Sequence, residues 1–374
     1  MLRAISEFCP PLQETGLLKG FHYTRQPTLE VLIGAVIFLS ALITATFVVT
    51  ARYDSEDAPA SDAPGVWSIQ NSGTDSNLNA VDFVDSQRGW AVGGNGTILH
   101  TSDAGQTWEA QNAGTQLELT SLDFQTATEG WVVGKLGLII HTADAGQTWE
   151  TQAGQEITLG LNLASVTFTD SKAGLILTER GSGILRTVDG GETWVREFLS
   201  NTSIRSDMFF LNSNRGWIPF SGGGVFHTFD GGRSWELRSG ASGAAIGQQS
   251  IFFVDENNGW IAGSRGRSGD VSGGLQFSQF LTDGMVARTT DGGQTWERHD
   301  ARTGRFLWDL AFLDAKRGWA IGSFGSIVYT TDGGVNWKSQ VTGTDEILRG
   351  VAFTNPDNGW IVGDMGTILK FTGR

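Results

Sequence analysis

From Trp67 onward one pattern recurs seven times, and it limits the possible folds more than any composition figure does. Its clearest copy runs Gly89-Trp90-Ala91-Val92-Gly93, then Gly96-Thr97-Ile98-Leu99-His100, then Thr101-Ser102-Asp103-Ala104-Gly105-Gln106-Thr107-Trp108. The next copy opens at Gly130-Trp131, 41 residues later, and closes at Trp149. A unit this short, made of brief alternating strands and glycine turns, cannot bury its own apolar face. Stacked copies can, and a period of about 40 residues predicts the blades of a β-propeller.

The Gly-Trp element recurs at Trp90, Trp131, Trp217, Trp260, Trp319 and Trp360, with Gly174-Leu175 standing in once. The second element, Thr-x-Asp-(Gly/Ala)-Gly-x-(Thr/Ser/Asn)-Trp, recurs only six times, at Asp103, Asp144, Asp189, Asp230, Asp291 and Asp332. The missing seventh has a counterpart at the other end of the repeat region. Trp67-Ser68-Ile69-Gln70-Asn71-Ser72-Gly73-Thr74 matches Trp108-Glu109-Ala110-Gln111-Asn112-Ala113-Gly114-Thr115. The spacing therefore predicts a closing blade that takes its outer strand from around 66–72 and its three inner strands from about 348–371, which removes the open sheet edges. Thirteen of the 14 Trp fall into this scheme; Trp308 does not. Each blade reads as four strands, the first alternating and ending near a Phe, as in Leu78 to Phe83.

The expected organisation is a cytoplasmic segment 1–30, a transmembrane helix 31–50, a linker 51–65 and an all-β, seven-bladed propeller 66–374. Residues 31–50 carry no charge over 20 positions, enough to span about 30 Å of hydrocarbon as a helix. Arg3, Lys19 and Arg25 precede that run and Asp54, Glu56, Asp57 and Asp62 follow it. This bias places the N-terminus in the cytoplasm and the propeller on the periplasmic or equivalent side of an inner or plasma membrane. The competing reading, a cleavable signal peptide, fits less well with 30 residues before the apolar core. Beyond residue 53 there are 22 basic and 37 acidic residues, a surface that repels nucleic acid. Cys9 is the sole cysteine, so the propeller holds neither disulfides nor a thiolate nucleophile.

The six aspartates invite a catalytic reading, but six copies around a ring cannot all be catalytic. An Asp at the start of a turn accepts backbone hydrogen bonds from residues ahead of it, a glycine supplies positive φ, and the Trp packs over the hairpin. His100, His141 and His227 share one slot at the end of the third strand with Arg186, Arg288, Tyr329 and Lys370. Such free variation marks a packing or surface position, and the spacing is not that of metal ligands. Gly181-Ser182-Gly183 and Ser221 to Gly224 are turns between strands rather than phosphate cradles, since no helix follows them. No metal or cofactor is expected.

The Asp element resembles the Asp box, or bacterial neuraminidase repeat. With Phe-x-Asp-x-x-x-x-Gly-Trp and Gly-x-x-Gly-x-Ile-Leu-x-Thr, the ring resembles more narrowly the photosystem II stability/assembly factor family over about 66–374. That resemblance implies a non-enzymatic propeller on the lumenal side of a membrane, binding a protein client while a membrane complex is assembled or stabilised. A transmembrane anchor departs from the family's lipid or cleaved signal. The alternative is a carbohydrate-active propeller, a glycoside hydrolase or a lectin of the sialidase-like class. Sialidase chemistry needs a nucleophilic Tyr and an Arg triad, yet Tyr23 and Tyr53 lie before or beside the apolar run and Tyr329 fills the third-strand slot. A hydrolase using two carboxylates stays open, and a carboxylate pair at one mouth of the channel would favour it.

The family's photosynthetic members are thought to bind clients through an Arg patch, and one arc of this chain resembles that in kind. Strands alternate direction, so the loops joining blades share a face with the turns between second and third strands. Arg265 and Arg267 fall on an insertion in blade 5, Arg298, Arg302 and Arg305 on the following connection, and Arg349 at the start of the closing blade. The insertion makes Trp260 to Asp291 a step of 31 residues where Trp90 to Asp103 takes 13, and it carries Leu275, Phe277, Phe280 and Leu281. Arg beside exposed aromatics has the composition of an interface anchor. The plainer reading is a solvated set of Arg offset by Asp270, Asp283 and Asp300.

Overall fold

A computed structural model describes residues 64–152, 160–179, 183–199, 207–220, 224–238, 246–265 and 283–373. Within them lie seven four-stranded antiparallel sheets, the blades of a propeller. Blade 1 comprises Leu78–Phe83, Gly89–Gly93, Thr97–Thr101 and Glu109–Asn112. Blades 2 to 6 follow in chain order with first strands Leu119–Phe124, Leu163–Phe168, Phe209–Phe210, Ile246–Phe253 and Leu307–Phe312. The expected transmembrane run 31–50, the segment before it, and most of the blade 5 insertion, Arg267 included, lie outside the described residues.

Blade 7 joins the two ends of the repeat region. Its strands Leu348–Asn355, Asn358–Gly363 and Ile368–Gly373 take Gly65–Gln70 as their outer neighbour. The register sets Trp67 against Phe371, Ser68 against Lys370 and Gln70 against Ile368.

What packs one blade on the next is a stack of three rings. The Gly-Trp indoles are almost completely buried. Each lies face-on against the Phe at or near the end of the first strand of the following blade, with centroids 3.5 to 4.5 Å apart, from Trp360 on Phe83 to Trp319 on Phe353. The Asp-box Trp of that following blade then meets the same Phe edge-on at about 6 Å, as Trp108 does on Phe83 and Trp149 on Phe124. Trp67 takes this role on Phe353 at 5.8 Å, so the N-terminal strand supplies the closing blade's third ring. The glycine before each Trp is required here: a Cβ at Gly89 would sit 2.5 Å from the Phe83 ring, and one at Gly130 2.5 Å from that of Phe124.

Candidate functional site

The Asp boxes form one hydrogen-bonded turn repeated six times. In the first, Asp103 accepts from the Thr107 N–H (2.9 Å), the Thr107 hydroxyl (2.6 Å) and the Thr101 hydroxyl (2.9 Å). Thr101 in turn accepts from the N–H groups of Asp103 and Gly105. Asp144, Asp189, Asp230, Asp291 and Asp332 repeat the scheme with Thr148, Thr193, Ser234, Thr295 and Asn336. These bonds, led by the side-chain hydroxyl, hold the Asp103, Asp144 and Asp189 carboxyls below their ordinary range. In each box both carboxylate oxygens accept from groups of the same turn. The histidines of the third-strand slot lie against the Gly-Trp indoles, His100 on Trp90 at 4.8 Å and His227 on Trp217 at 4.7 Å, and burial lowers their pKa values.

The central channel carries acidic groups that the repeat pattern did not single out. Asp82 and Asp123 each stand immediately before the Phe of their first strand; Asp207 and Asp309 each stand three residues before it. Each carboxylate links two blades. Asp82 accepts from the N–H of Phe83 and of Phe124, and Asp123 from that of Phe168. Asp309 accepts from Leu310 and Val351. Ser250 places one hydroxyl between Asp309 (2.6 Å) and Asp207 (3.3 Å). A hydroxyl has one proton, so one of those contacts needs a proton held by an aspartate. Burial, then the neighbouring carboxylate, pushes Asp123 and Asp207 up to about 7, and burial pushes Asp309 up to about 6. The carboxylate pair that a hydrolase would need is thus present, but its oxygens are occupied by the backbone N–H groups that hold the ring together.

The face formed by the inter-blade connections and the turns between second and third strands presents a different surface at blades 5 to 7. Arg305 donates to the carbonyl of Phe324 and sets its guanidinium 5.1 Å from the Phe324 ring centre. Phe324 sits at the tip of its turn with φ +56 and is 42% exposed. Arg349 grips both oxygens of Asp364 (2.5 and 3.1 Å) and lies 5.5 Å from the Trp308 ring centre. Trp308 donates to Ser323 on the turn that carries Phe324. Met365, at the equivalent tip in blade 7, is 59% exposed. Two Arg–aromatic pairs from adjacent blades and two exposed apolar tips therefore stand together at the mouth of the channel.

The expected six Arg divide on inspection. Arg302, Arg305 and Arg349 belong to this surface, with Arg302 exposed on the connection and Arg349 already ion-paired. Arg298 does not lie on the connection; it is inside the outer strand Glu297–Asp300, opposite Ala287, because that strand runs three residues past Glu297 before the turn at Arg302. Arg265 ends the second strand of blade 5, and only its backbone is described. Trp308, Phe324 and Met365 went unassigned in the sequence. The one Trp outside the repeat was the available signal for the first; the other two look like ordinary turn residues until the turn is seen to need them at positive φ.

Comparison with known proteins agrees with this architecture. The profile of the photosynthesis system II assembly factor YCF48 family matches residues 60–194 and 298–372. The chain belongs to that family. It is accordingly a member of an assembly-factor family and not an enzyme of a hydrolase family. A solved structure described as YCF48 bound to D1 peptide is 24% identical, with a TM-score of 0.66, covering 84% of this chain and 99% of that one. YCF48 from Cyanidioschyzon merolae is 22% identical with a TM-score of 0.66, covering 82% and 99%. The GH74 xyloglucanase from Xanthomonas campestris shares the propeller at 14% identity and a TM-score of 0.61, covering 81% of this chain and 53% of that one, a likeness of fold alone. Among curated proteins none matches the sequence significantly.

Proposed function

We propose that this YCF48-family propeller is a membrane-anchored, non-enzymatic factor that holds a protein client while a membrane complex is assembled or stabilised. Residues 31–50 are the anchor in this reading, with the N-terminus cytoplasmic and the propeller on the periplasmic side. The observation that carries the proposal is the blade 6 to blade 7 mouth, where Arg305 on Phe324 and Arg349 on Trp308 stand beside exposed Met365. Arg fits carboxylates in two-point contact and stacks on aromatic rings, so this surface suits an acidic or aromatic segment of a photosystem II-type membrane protein. The solved relative bound to D1 peptide supports a client of that kind.

The carbohydrate-active alternative would draw on the channel aspartates. Their bonds to backbone N–H groups of adjacent blades argue against it.

The test is affinity purification from detergent-solubilised membranes with the full chain and with a combined Arg302→Ala, Arg305→Ala and Phe324→Ala variant. The wild type is expected to bring down one principal membrane protein, and the folded variant to lose it. Equal recovery by both would exclude this mouth as the client site.

A further inference from the structure

Seven outer strands form the rim of the ring, and most of them are polar. Glu109–Asn112, Glu150–Thr151, Glu297–Asp300 and Lys338–Gln340, on blades 1, 2, 5 and 6, carry no large apolar side chain. The outer strand of blade 7 differs. Val66 and Ile69 are each more than half exposed, and their spacing puts them on opposite faces of the edge strand Gly65–Gln70. Val341, on the connection from blade 6 into blade 7, is more exposed still. A Cβ added at Gly343 of that connection would lie 3.6 Å from the Ile69 side chain, so strand and connection form one apolar rim. Exposed apolar groups gathered in this way mark contact with a protein or a membrane.

Chain length decides between the two. Only residues 51–63 separate the uncharged run 31–50 from the described propeller, which opens with this strand. A linker of that length spans about 50 Å at full stretch and about 20 Å on average. A domain of this size measures about 50 Å across. The other apolar rim, Val195, Phe198 and Leu237 on blades 3 and 4, lies on the far side of the ring from blade 7. Seating that rim on the bilayer would hold the linker near full extension, at a cost in chain entropy. Seating blade 7 leaves the linker unstretched.

We propose that the blade 7 rim, at Val66, Ile69 and Val341, docks in the headgroup layer of the bilayer that carries the anchor. Apolar side chains from both faces of the strand enter the boundary of the acyl chains. The unpaired N–H and C=O groups of its edge stay at headgroup depth, where water reaches them. The inference rests on residues 31–50 being a membrane anchor. It sets the Arg–aromatic mouth of blades 6 and 7 beside the lipid, within reach of a client embedded there.

The experiment uses the full chain with Cys9→Ser, reconstituted alone in nanodiscs of phosphatidylcholine. Ile69→Cys, Val341→Cys and, as the control, Phe198→Cys each carry a nitroxide; Phe198 is an outer-strand residue with 74% exposure. Paramagnetic resonance reads the accessibility of each label to oxygen and to a water-soluble nickel chelate. Oxygen should exceed the chelate at positions 69 and 341, and the chelate should exceed oxygen at position 198. A second measurement uses the unsubstituted chain and a phosphatidylcholine carrying a diazirine near its glycerol. Photolysis should leave lipid adducts on the peptides that contain Val66, Ile69 and Val341, and none on the peptide that contains Phe198. Chelate-dominated labels at 69 and 341 with no adducts there, or lipid contact at 198 alone, would overturn the docking and leave the anchor in place. Release of the chain from cell membranes by alkaline extraction would overturn the anchor and the docking together.

Discussion

Trp67 donates its indole N–H to the side-chain oxygen of Gln340, 273 positions later in the chain, at 3.1 Å. The same oxygen accepts from Trp319 at 3.3 Å, and the Gln340 amide donates to the Gly65 carbonyl at 2.6 Å. Gln340 lies three residues after an Asp-box Trp, as Gln111 does, and Gln111 reaches forward to the Ala145 carbonyl of the next box. The closing blade has no box, so the same side chain grips the N-terminal strand instead. Gln340→Leu should lower unfolding free energy by about 1–3 kcal/mol, since it removes the partner of two indole donors and a carbonyl. Deleting residues 55–72 should do more and destabilise the whole ring, because blade 7 then exposes its third strand. Urea unfolding checks both, and an unchanged midpoint in the deletion would contradict the closure.

The Asp boxes yield a prediction about stability without function. Asp144→Ala removes the acceptor for the Thr148 N–H and hydroxyl and the Thr142 hydroxyl, and should lower the urea midpoint of unfolding. Recovery of the client by the folded variant should match the wild type. A large loss of client at unchanged stability would make the box a binding element after all.

The channel acids set the third prediction. Asp123, Asp207 and Asp309 have folded pKa values raised to about 7, 7 and 6 from an ordinary 3.8. The folded state thus binds more protons than the unfolded one between those values. The stability each contributes is fully present below pH 3.8 and is lost as pH rises through its folded pKa. The half-buried His100 and His141 and the buried His227, with lowered values, tilt the curve the other way, so a difference measurement is needed. The melting temperature of Asp207→Asn relative to wild type should rise between pH 5 and pH 8. A constant difference over that range would contradict a folded Asp207 pKa of about 7.

The fold was legible because its determinants are local and repeated. Trp90, Trp131 and their counterparts each mark a strand, a buried ring and a blade boundary at once, and the match of Trp67 to Trp108 was enough to place the closing strand. The face that carries the proposed surface was only partly legible. Arg302, Arg305 and Arg349 lie where sorting the loops between faces puts them, but Arg298 was misplaced because a strand end is not marked in sequence to within a few residues. Phe324 and Met365 were missed because the tip of that turn takes positive φ with no constant residue type, being Asn95, Leu136, Phe324 and Met365 in four of the blades. The channel aspartates were missed for another reason: Asp207 and Asp309 become neighbours only through Ser250, a blade lying between them in sequence.

The central claim, that the Arg–aromatic mouth of blades 6 and 7 holds a protein client, is tested most directly by site-specific photo-crosslinking in intact membranes. A photoreactive phenylalanine analogue replaces Phe324 in one variant and Gln106, on the exposed Asp-box turn of blade 1, in another. A single crosslinked membrane protein from position 324 and none from position 106 is the predicted result. Crosslinking to that protein from position 106 alone would contradict the account and move the client to the opposite face.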